Sequence, residues 1–252
     1  DYPSVADISS DGRTLLFSET GSGGGRLYST YLRGMDGSPP VRIGEGAAQG
    51  LSPDGKHILT IHLGPPHRLV ILPTGSGDST SLPRGRIEKY QAASWLPDGK
   101  RVVSIGAEAG SPWRTYVQDV NGGLSRPITP GGVEARCVSP DGRFVAGAME
   151  RRLTVFPIGE GSPTAVADLL PDEHVVRWST GGQFLYVELQ GPRCFVVRIE
   201  VSTGRRTAWK TFSVPDPAGV WVRDPVLAAN EQAYAYGYLR WLDDLYVVEG
   251  LK

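Results

Sequence analysis

Apolar residues recur at two fixed positions on either side of a short polar turn, six times along the chain. The two positions lie seven residues apart, and the six residues between them are too few for a helix but suit a tight connection between two strands. The pattern therefore predicts that each turn joins two β-strands through a packed pair. The position before the turn holds Ile8, Leu51, Trp95, Val138, Trp178 and Leu227, and the position after it holds Leu15, Ile58, Val102, Val145, Leu185 and Tyr234.

The turns themselves carry a common signature. In the second copy it reads Ser52-Pro53-Asp54-Gly55-Lys56. Pro presets φ, Asp hydrogen-bonds the backbone that follows it, and Gly accepts positive φ, so Pro-Asp-Gly favours a hairpin. Ser9–Arg13, Leu96–Lys100 and Ser139–Arg143 are further strong copies, whereas Ser179–Gln183 and Ala228–Gln232 are eroded. The third position of the turn falls at residues 11, 54, 98, 141, 181 and 230, with steps of 43, 44, 43, 40 and 49 residues.

Each repeat has room for four strands, and no segment shows a capped helical period. We expect third strands at Leu27–Tyr31, Leu69–Leu72, Thr115–Gln118, Leu153–Phe156, Phe195–Ile199 and Leu245–Val248. A period of about 43 residues with four strands is typical of a propeller blade. The alternative, an open solenoid, would need polar caps that neither terminus supplies.

The sequence therefore predicts an all-β fold: a six-bladed β-propeller with about four antiparallel strands per blade, forming one domain over residues 1–252. The expected blades are approximately 4–44, 45–83, 88–130, 133–168, 173–210 and 220–252. The last blade lacks residues for a fourth strand. Either residues 1–3 complete it, or the ring closes by packing alone.

Composition narrows the functions open to the chain. Its 252 residues carry a formal net charge of −1, so there is no basic excess of the kind that typifies nucleic-acid binders. No apolar run approaches the ~20 residues that span a bilayer, so we expect no membrane contact by this segment. The chain starts at Asp1 without a signal peptide, which suggests a piece of a longer protein. Cys137 and Cys194 could form a bridge or remain buried thiols, and the thiol interpretation is favoured.

The usual catalytic constellations are not found. No Gly-x-Ser-x-Gly elbow occurs, and the run 21–25 (Gly-Ser-Gly-Gly-Gly) lacks the Lys-Ser/Thr of a phosphate loop. His57 and His62 should point to opposite faces of one strand, which argues against a shared metal. The repeated Asp residues are expected to cap turns in separate blades. We accordingly predict no catalytic residues, no metal and no cofactor.

The Ser-Pro-Asp-Gly-Lys/Arg turn followed by an apolar strand resembles the WD40-like repeat of TolB-type propellers, also called PD40. This resemblance covers nearly the whole chain. The C-terminal sequence, from Tyr234-Ala-Tyr-Gly-Tyr238 through Asp244-Leu-Tyr-Val-Val-Glu-Gly-Leu-Lys252, is similar to the ends of bacterial membrane Ser/Thr kinases that carry such a propeller. It implies a sensor or scaffold region outside the cytoplasmic membrane.

The loops opposite the repeated turns are the candidate binding surface, because that face of a propeller commonly binds. Trp and Arg are enriched at interaction hot spots, although both also serve ordinary packing and solvation here. The candidate binding residues are Trp113, Arg114, Arg136, His174, Arg177, Arg193, Trp221, Arg223 and Trp241. A long irregular stretch is also expected at Thr211–Asp224, where an insertion would explain the 49-residue step.

Three functions remain open from the sequence. The first is a non-catalytic sensor propeller of a larger bacterial membrane Ser/Thr kinase, binding a protein or small molecule in an extracytoplasmic, periplasmic location; a cytoplasmic location is not excluded by the residues. The second is a TolB-like periplasmic scaffold that binds an envelope protein. The third is the gating propeller of a prolyl-oligopeptidase-like hydrolase, whose catalytic elbow would lie beyond Lys252.

Overall fold

The computed structural model describes residues 4–21, 25–228 and 231–241, and these form an antiparallel all-β ring without a helix. Five four-stranded sheets follow one another along the chain, each a meander of sequential strands. Blades 1 and 2 contain the first eight strands: β1 (Ser4–Ile8), β2 (Thr14–Gly21), β3 (Gly25–Gly34) and β4 (Val41–Glu45), then β5 (Ala47–Leu51), β6 (His57–His62), β7 (Arg68–Pro73) and β8 (Thr80–Ser81). Blades 3 and 4 contain β9 (Ile87–Trp95), β10 (Arg101–Glu108), β11 (Arg114–Asp119) and β12 (Arg126–Pro127), then β13 (Glu134–Val138), β14 (Phe144–Met149), β15 (Arg152–Pro157) and β16 (Thr164–Asp168). Blade 5 contains β17 (Glu173–Trp178), β18 (Phe184–Leu189), β19 (Cys194–Glu200) and β20 (Arg206–Phe212).

The prediction of six four-stranded blades is corrected by the sixth sheet. In the part of the chain that the structure describes, this sheet has two strands, β21 (Val220–Leu227) and β22 (Tyr234–Arg240). The fold is thus five blades and a two-stranded sheet. The third strand expected at Leu245–Val248, and the completion expected from residues 1–3, lie outside the described residues.

The first strands of the sheets form the inner wall of the ring. β1 contacts β5, β5 contacts β9, and so on through β13 and β17 to β21, which contacts β1. The six first strands therefore surround a central axis, and the later strands of each blade lie progressively outward.

The two apolar columns are the cross-strand pairs that open each first hairpin. Ile8 faces Leu15, Trp95 faces Val102, and even the eroded sixth copy pairs Leu227 with Tyr234. All six copies keep this pairing. The repeat found in the sequence is therefore a structural unit, because its two apolar positions face each other across the hairpin in every copy.

The repeated Asp residues cap these turns, as expected. In blade 4, Ser139 Oγ donates to Asp141 Oδ1 at 2.6 Å, and the same carboxylate oxygen accepts the amide of Arg143 at 3.0 Å. Phe144 then donates its amide to Ser139 Oγ at 2.9 Å. The hydrogen bond from Ser139 is the main reason that the pKa of Asp141 lies below its ordinary value. We call the face with these six turns the turn face, and the opposite face, where the first strands begin, the mouth face.

Apolar side chains fill five of the six junctions between neighbouring sheets. For example, Leu59 and Ile61 of blade 2 pack with Ile87 and Val102 of blade 3. Similar clusters join blades 1 and 2, 3 and 4, 4 and 5, and blade 5 with the sixth sheet. Each fully buried aliphatic side chain contributes roughly 1.5–3 kcal/mol. Among the described residues, no such cluster joins the sixth sheet to blade 1, although β1 contacts both β21 and β22 there.

The irregular stretch is shorter than the sequence predicted. β20 continues to Phe212 and β21 begins at Val220, so the connection that lacks regular structure is residues 213–219. The rest of Thr211–Asp224 is strand. Between Arg223 and Val226, β21 carries one extra residue opposite β22. A similar one-residue bulge occurs in β1, β5, β13 and β17, so this bulge does not account for the 49-residue step.

Candidate functional site

The inner wall presents polar side chains to the axial channel at positions that repeat from sheet to sheet. Exposed side chains on an innermost strand can face only the channel or its mouth, because both faces of the blade pack against neighbouring sheets. Counted back seven residues from the third position of the turn, the six positions hold Ser4, Ala47, Gln91, Glu134, His174 and Arg223, and the last four carry long polar or charged side chains. We call these four the mouth ring.

The mouth ring is partly joined by direct contacts. Gln91 Nε2 donates to Glu134 Oε2 at 2.8 Å, which links blades 3 and 4 across the channel wall. On the other side, Arg223 Nε forms an ion pair with Asp224 at 2.8 Å. Gln91, Glu134 and His174 are exposed. A ligand at the mouth therefore meets hydrogen-bond donors, a carboxylate and an arginine within one circle.

Two aromatic and cationic side chains extend this surface beside the sixth sheet. Trp221 lies two residues before Arg223 on β21, so both point to the same side of the strand, and its side chain is 40% exposed. The loop between β18 and β19 reaches the same place, because Gly191 pairs with Val222. That loop carries the exposed Arg193. Four predicted residues, His174, Arg193, Trp221 and Arg223, are thus brought to one side of the mouth.

A buried carboxyl group, that of Glu188, lies beneath this side of the mouth. Glu188 is 5% exposed, accepts a hydrogen bond from Gln190 Nε2 at 3.0 Å, and lies 3.4 Å from the Cys194 thiol. Burial raises the pKa of Glu188, and the nearby negative charge of Asp224 raises it further, while His174 opposes the shift. Burial and Glu188 together raise the pKa of Cys194 to about 12. The surroundings of Glu188 therefore favour neutral groups.

A second polar group lies on the inner wall near the turn face, at a position that we call the channel floor. Asp7 of β1 accepts the amide of Leu51 at 2.8 Å and that of Ile8 at 2.8 Å. Burial nevertheless raises the pKa of Asp7 above its ordinary value. Arg177 of β17 attracts Asp7 electrostatically and donates hydrogen bonds to the carbonyls of Trp178 and Leu227. The floor therefore connects blade 1, blade 5 and the sixth sheet.

Both cysteines are free and buried, as the thiol interpretation predicted. Cys137 Sγ lies 3.3 Å from the carbonyl oxygen of Val176, to which it donates. Burial raises the pKa of this thiol to about 11, so it is protonated at neutral pH. Neither thiol is suited to act as a nucleophile.

The remaining predicted residues do not join the mouth ring. Arg136 is exposed on β13 and Arg177 lies deeper, at the floor. Trp113 and Arg114 lie at the start of β11, outside the first strand of blade 3, and Arg114 lines a groove between blades 3 and 4. Trp241 follows β22 and is 54% exposed. The nine residues are therefore spread over the mouth, the channel and the later strands.

Sequence reasoning missed several polar residues of the inner wall. Asp7, Gln91, Glu134 and Glu188 stand out only once the innermost strands are known. Counting residues back from each turn would have aligned Gln91 and Glu134 with His174. Nothing in the sequence marks Glu188, because its burial depends on the contact between blade 5 and the sixth sheet.

Within the described ranges, no three His, Cys, Asp or Glu side chains come close enough together to hold a metal ion. Those ranges also contain no helix of the length and apolar character needed to cross a membrane.

Known structures with the same ring were found by comparison. No protein-family profile and no curated protein matches the sequence significantly. A protein assigned as TolB from Agrobacterium tumefaciens superposes with a TM-score of 0.60 at 18% identity, covering 84% of this chain and 82% of its own. TolB from Acinetobacter baumannii gives 0.64 at 15% identity, covering 90% and 63%. The fold is that of a TolB-type β-propeller.

The same TolB-type fold also occurs in an enzyme. An oligogalacturonate lyase in complex with manganese superposes with a TM-score of 0.62 at 16% identity, covering 91% of this chain and 75% of its own. At these identities the likeness concerns the fold alone. Function has to be argued from the residues of this chain.

Proposed function

We propose that this TolB-like propeller is a non-catalytic binding domain whose ligand or partner docks at the mouth face. One observation carries the proposal: Trp221 and Arg223 lie on the same side of β21, next to the loop that carries Arg193, and these residues form a partly exposed aromatic and cationic surface near His174 at the mouth face. Such residues contribute strongly to binding when a partner covers them. A protein or a small molecule could occupy this position.

A double substitution tests the binding position. We expect His174→Ala with Trp221→Ala to weaken binding of the partner that the native propeller recovers stoichiometrically from a bacterial envelope extract. The loss should be about 2 kcal/mol or more, because truncated hot-spot residues typically have effects of that size. Isothermal titration with the recovered partner measures it.

Arg205→Ala is the matched control for that experiment. Arg205 lies in the turn between β19 and β20, its side chain is 74% exposed, and its contact with Glu200 is a long 3.7 Å. This variant should bind as the native protein does. Equal binding by the double variant would refute the mouth position, and turnover of a peptide, ester or glycoside panel at enzyme-like rates would refute the non-catalytic assignment.

The leading form of the proposal places the propeller in a larger bacterial membrane Ser/Thr kinase, as its extracytoplasmic sensor region. Its support is the C-terminal sequence similarity, of which Tyr234–Tyr238 lies on β22 and residues 242–252 lie outside the described part. A TolB-like periplasmic scaffold and the gating propeller of a hydrolase are the alternatives, and both suit the same fold.

The coding sequence on both sides of this segment separates the three forms. A kinase domain and one ~20-residue apolar span before Asp1 would support the sensor form. A hydrolase domain after Lys252 would contradict it in favour of a substrate gate. A signal peptide alone before Asp1 would contradict it in favour of the scaffold.

A further inference from the structure

A shallow groove runs between blades 3 and 4, from the repeated turn of blade 4 to the segment after β12. It consists of two adjoining depressions with volumes of about 300 and 340 Å³. Both are bordered by the turn after β15, through Pro157, Gly159 and Gly161. Because they share this border, the two depressions lie next to each other.

The walls of the groove are stiff and offer little polar backbone. Pro127 and Pro130 stand on the blade 3 side, and Pro157 and Pro163 stand on the blade 4 side. Proline has a fixed φ and no amide proton. These prolines therefore give the first depression wall segments of fixed backbone conformation, against which an extended peptide can lie.

The charged side chains that line the groove are mostly positive. Its lining contains four arginines, Arg101, Arg114, Arg126 and Arg143, and one carboxylate, Glu160. The chain as a whole has a formal net charge of −1, so this positive charge is a local feature. Arg101 and Arg143 lie in one depression, and Arg114 and Arg126 lie in the other.

Three of the four arginines have no ion-pair partner within the described part of the molecule, although the charge of Arg143 helps to lower the pKa of Asp141. Arg101 is paired with Asp98 at 2.8 Å. Arg126 Nη2 donates to the carbonyl of Ile158 at 2.6 Å, and the Arg143 guanidinium lies 5.4 Å from the centre of the Phe144 ring. No ion pair engages Arg114, Arg126 or Arg143 across the residues that the structure covers.

We infer that this groove docks an extended, acidic peptide segment of a partner protein. Guanidinium groups form strong, bidentate hydrogen bonds with carboxylates. Their distribution over two depressions suits several carboxylates along an extended chain better than one small anion. A nucleic acid would require a larger basic surface than four arginines on a chain with a pI near 6.5.

Two labelled peptides of about ten residues provide the probe. One alternates Glu with Pro and Ala, and the other has Gln at each Glu position. Fluorescence anisotropy should show saturable binding of the Glu peptide only, and the binding should weaken as salt is raised.

Substitution in the groove then locates the contact. Arg114→Gln with Arg143→Gln should weaken binding of the Glu peptide about tenfold, since two charge-assisted contacts are removed. Arg126 is left intact because its hydrogen bond to Ile158 joins the blades. Arg152→Gln with Arg205→Gln removes the same charge from exposed positions elsewhere and should leave binding unchanged. Unaltered thermal melts establish that each variant is folded.

Three results would overturn the inference: equal binding of the Gln peptide, an equal loss in the control variant, or comparable Arg114- and Arg143-dependent binding of anionic vesicles or single-stranded DNA. The mouth variant, His174→Ala with Trp221→Ala, should retain the Glu peptide. The groove and the proposed mouth site can therefore fail independently.

Discussion

The stability of each repeated turn depends on individual hydrogen bonds to side-chain oxygens. The fifth turn lacks the Asp: Ser179 Oγ still accepts the amide of Phe184 at 3.0 Å, but Gly181 stands where Asp141 stands in blade 4. A Cβ at Gly181 would meet nothing closer than 3.7 Å, and the position does not require positive φ. An Asp is therefore sterically acceptable there.

We predict that Gly181→Asp stabilises the protein by about 1 kcal/mol, because the carboxylate recreates the contacts that Asp141 makes. Gly181→Ala is the control, since any loss of unfolded-chain entropy also occurs there. Urea unfolding measures both. An Asp variant no more stable than the Ala variant would show that the capping carboxylate adds nothing.

The buried carboxyl of Glu188 should make stability depend on pH. Its pKa is raised by burial, so the folded state holds this proton more tightly than the unfolded chain does, and stability is lost as pH rises from about 4.5 through the folded pKa. Glu188→Gln removes the ionisation. We expect the variant to gain stability relative to the native protein between pH 4 and pH 8.

Thermal unfolding across that range checks the Glu188 prediction. Glu134→Gln, at an exposed position, is the control and should follow the native curve more closely. A stability difference between native protein and Glu188→Gln that stays constant with pH would contradict the expected raised pKa.

At the scale of elements, a hairpin can pack tightly enough to require glycine. Gly147 on β14 pairs with Ala135 on β13. A Cβ at Gly147 would lie 2.5 Å from the carbonyl oxygen of Glu134 and 2.6 Å from the Cα of Ala135. Because both are backbone atoms, relief requires the strands to separate.

Gly147→Ala should therefore destabilise the protein by about 1–3 kcal/mol, the usual range for overpacking. Gly75→Ala is the matched control, because a Cβ there meets nothing within 4 Å and no positive φ is required. Chemical denaturation of both variants compares them. Equal stability would mean that β13 and β14 adjust without penalty.

Much of this element-scale structure could be predicted from the sequence, and the reason is local. The pair Trp95 and Val102 surrounds its own turn, so spacing alone reveals the hairpin. The residues of the mouth were harder to find, because His174 and Arg223 meet only when distant strands close into a ring. The bulges of the first strands, such as that between Ala135 and Cys137, also shift which side chains face the channel.

The sixth sheet shows where sequence counting fails at the scale of the whole molecule. Its turn keeps the hydrogen bonds of the others: Glu231 donates its amide to Ala228, as Gly142 does to Ser139. Glu231 thus occupies the glycine position, with φ of 59°, a conformation unfavourable for Glu. Its carboxylate accepts hydrogen bonds from the Thr180 amide at 2.9 Å and the Tyr186 hydroxyl at 3.0 Å, which tie the sheet to blade 5.

Arg177 should contribute strongly to the attachment of the sixth sheet to the rest of the ring. Arg177→Met removes its hydrogen bonds to the carbonyls of Trp178 and Leu227 and its attraction to Asp7 and Glu231. We expect a loss of about 2–3 kcal/mol, as for a charged hydrogen-bonding group that leaves buried acceptors unpaired. Hydrogen exchange should accelerate in β21 and β22 and not in β9 and β10.

Arg152→Met is the control for ring closure, since its ion pair with Asp168 is well exposed and exposed pairs contribute about 0–1 kcal/mol. If hydrogen exchange rises equally in every blade of Arg177→Met, then the ring opens as a whole and the sixth sheet does not open separately.

The contact of β1 with β21 and β22 has a mechanical consequence. The first and last described strands are neighbours, so forces applied to the ring through β1 and β22 would act at one place. That place is the junction without an apolar cluster in the described residues, where β1 contacts β21 and β22. We expect such a force to separate β1 from β21 and β22 before any blade unfolds, so that the ring opens at this junction while its five complete blades stay folded.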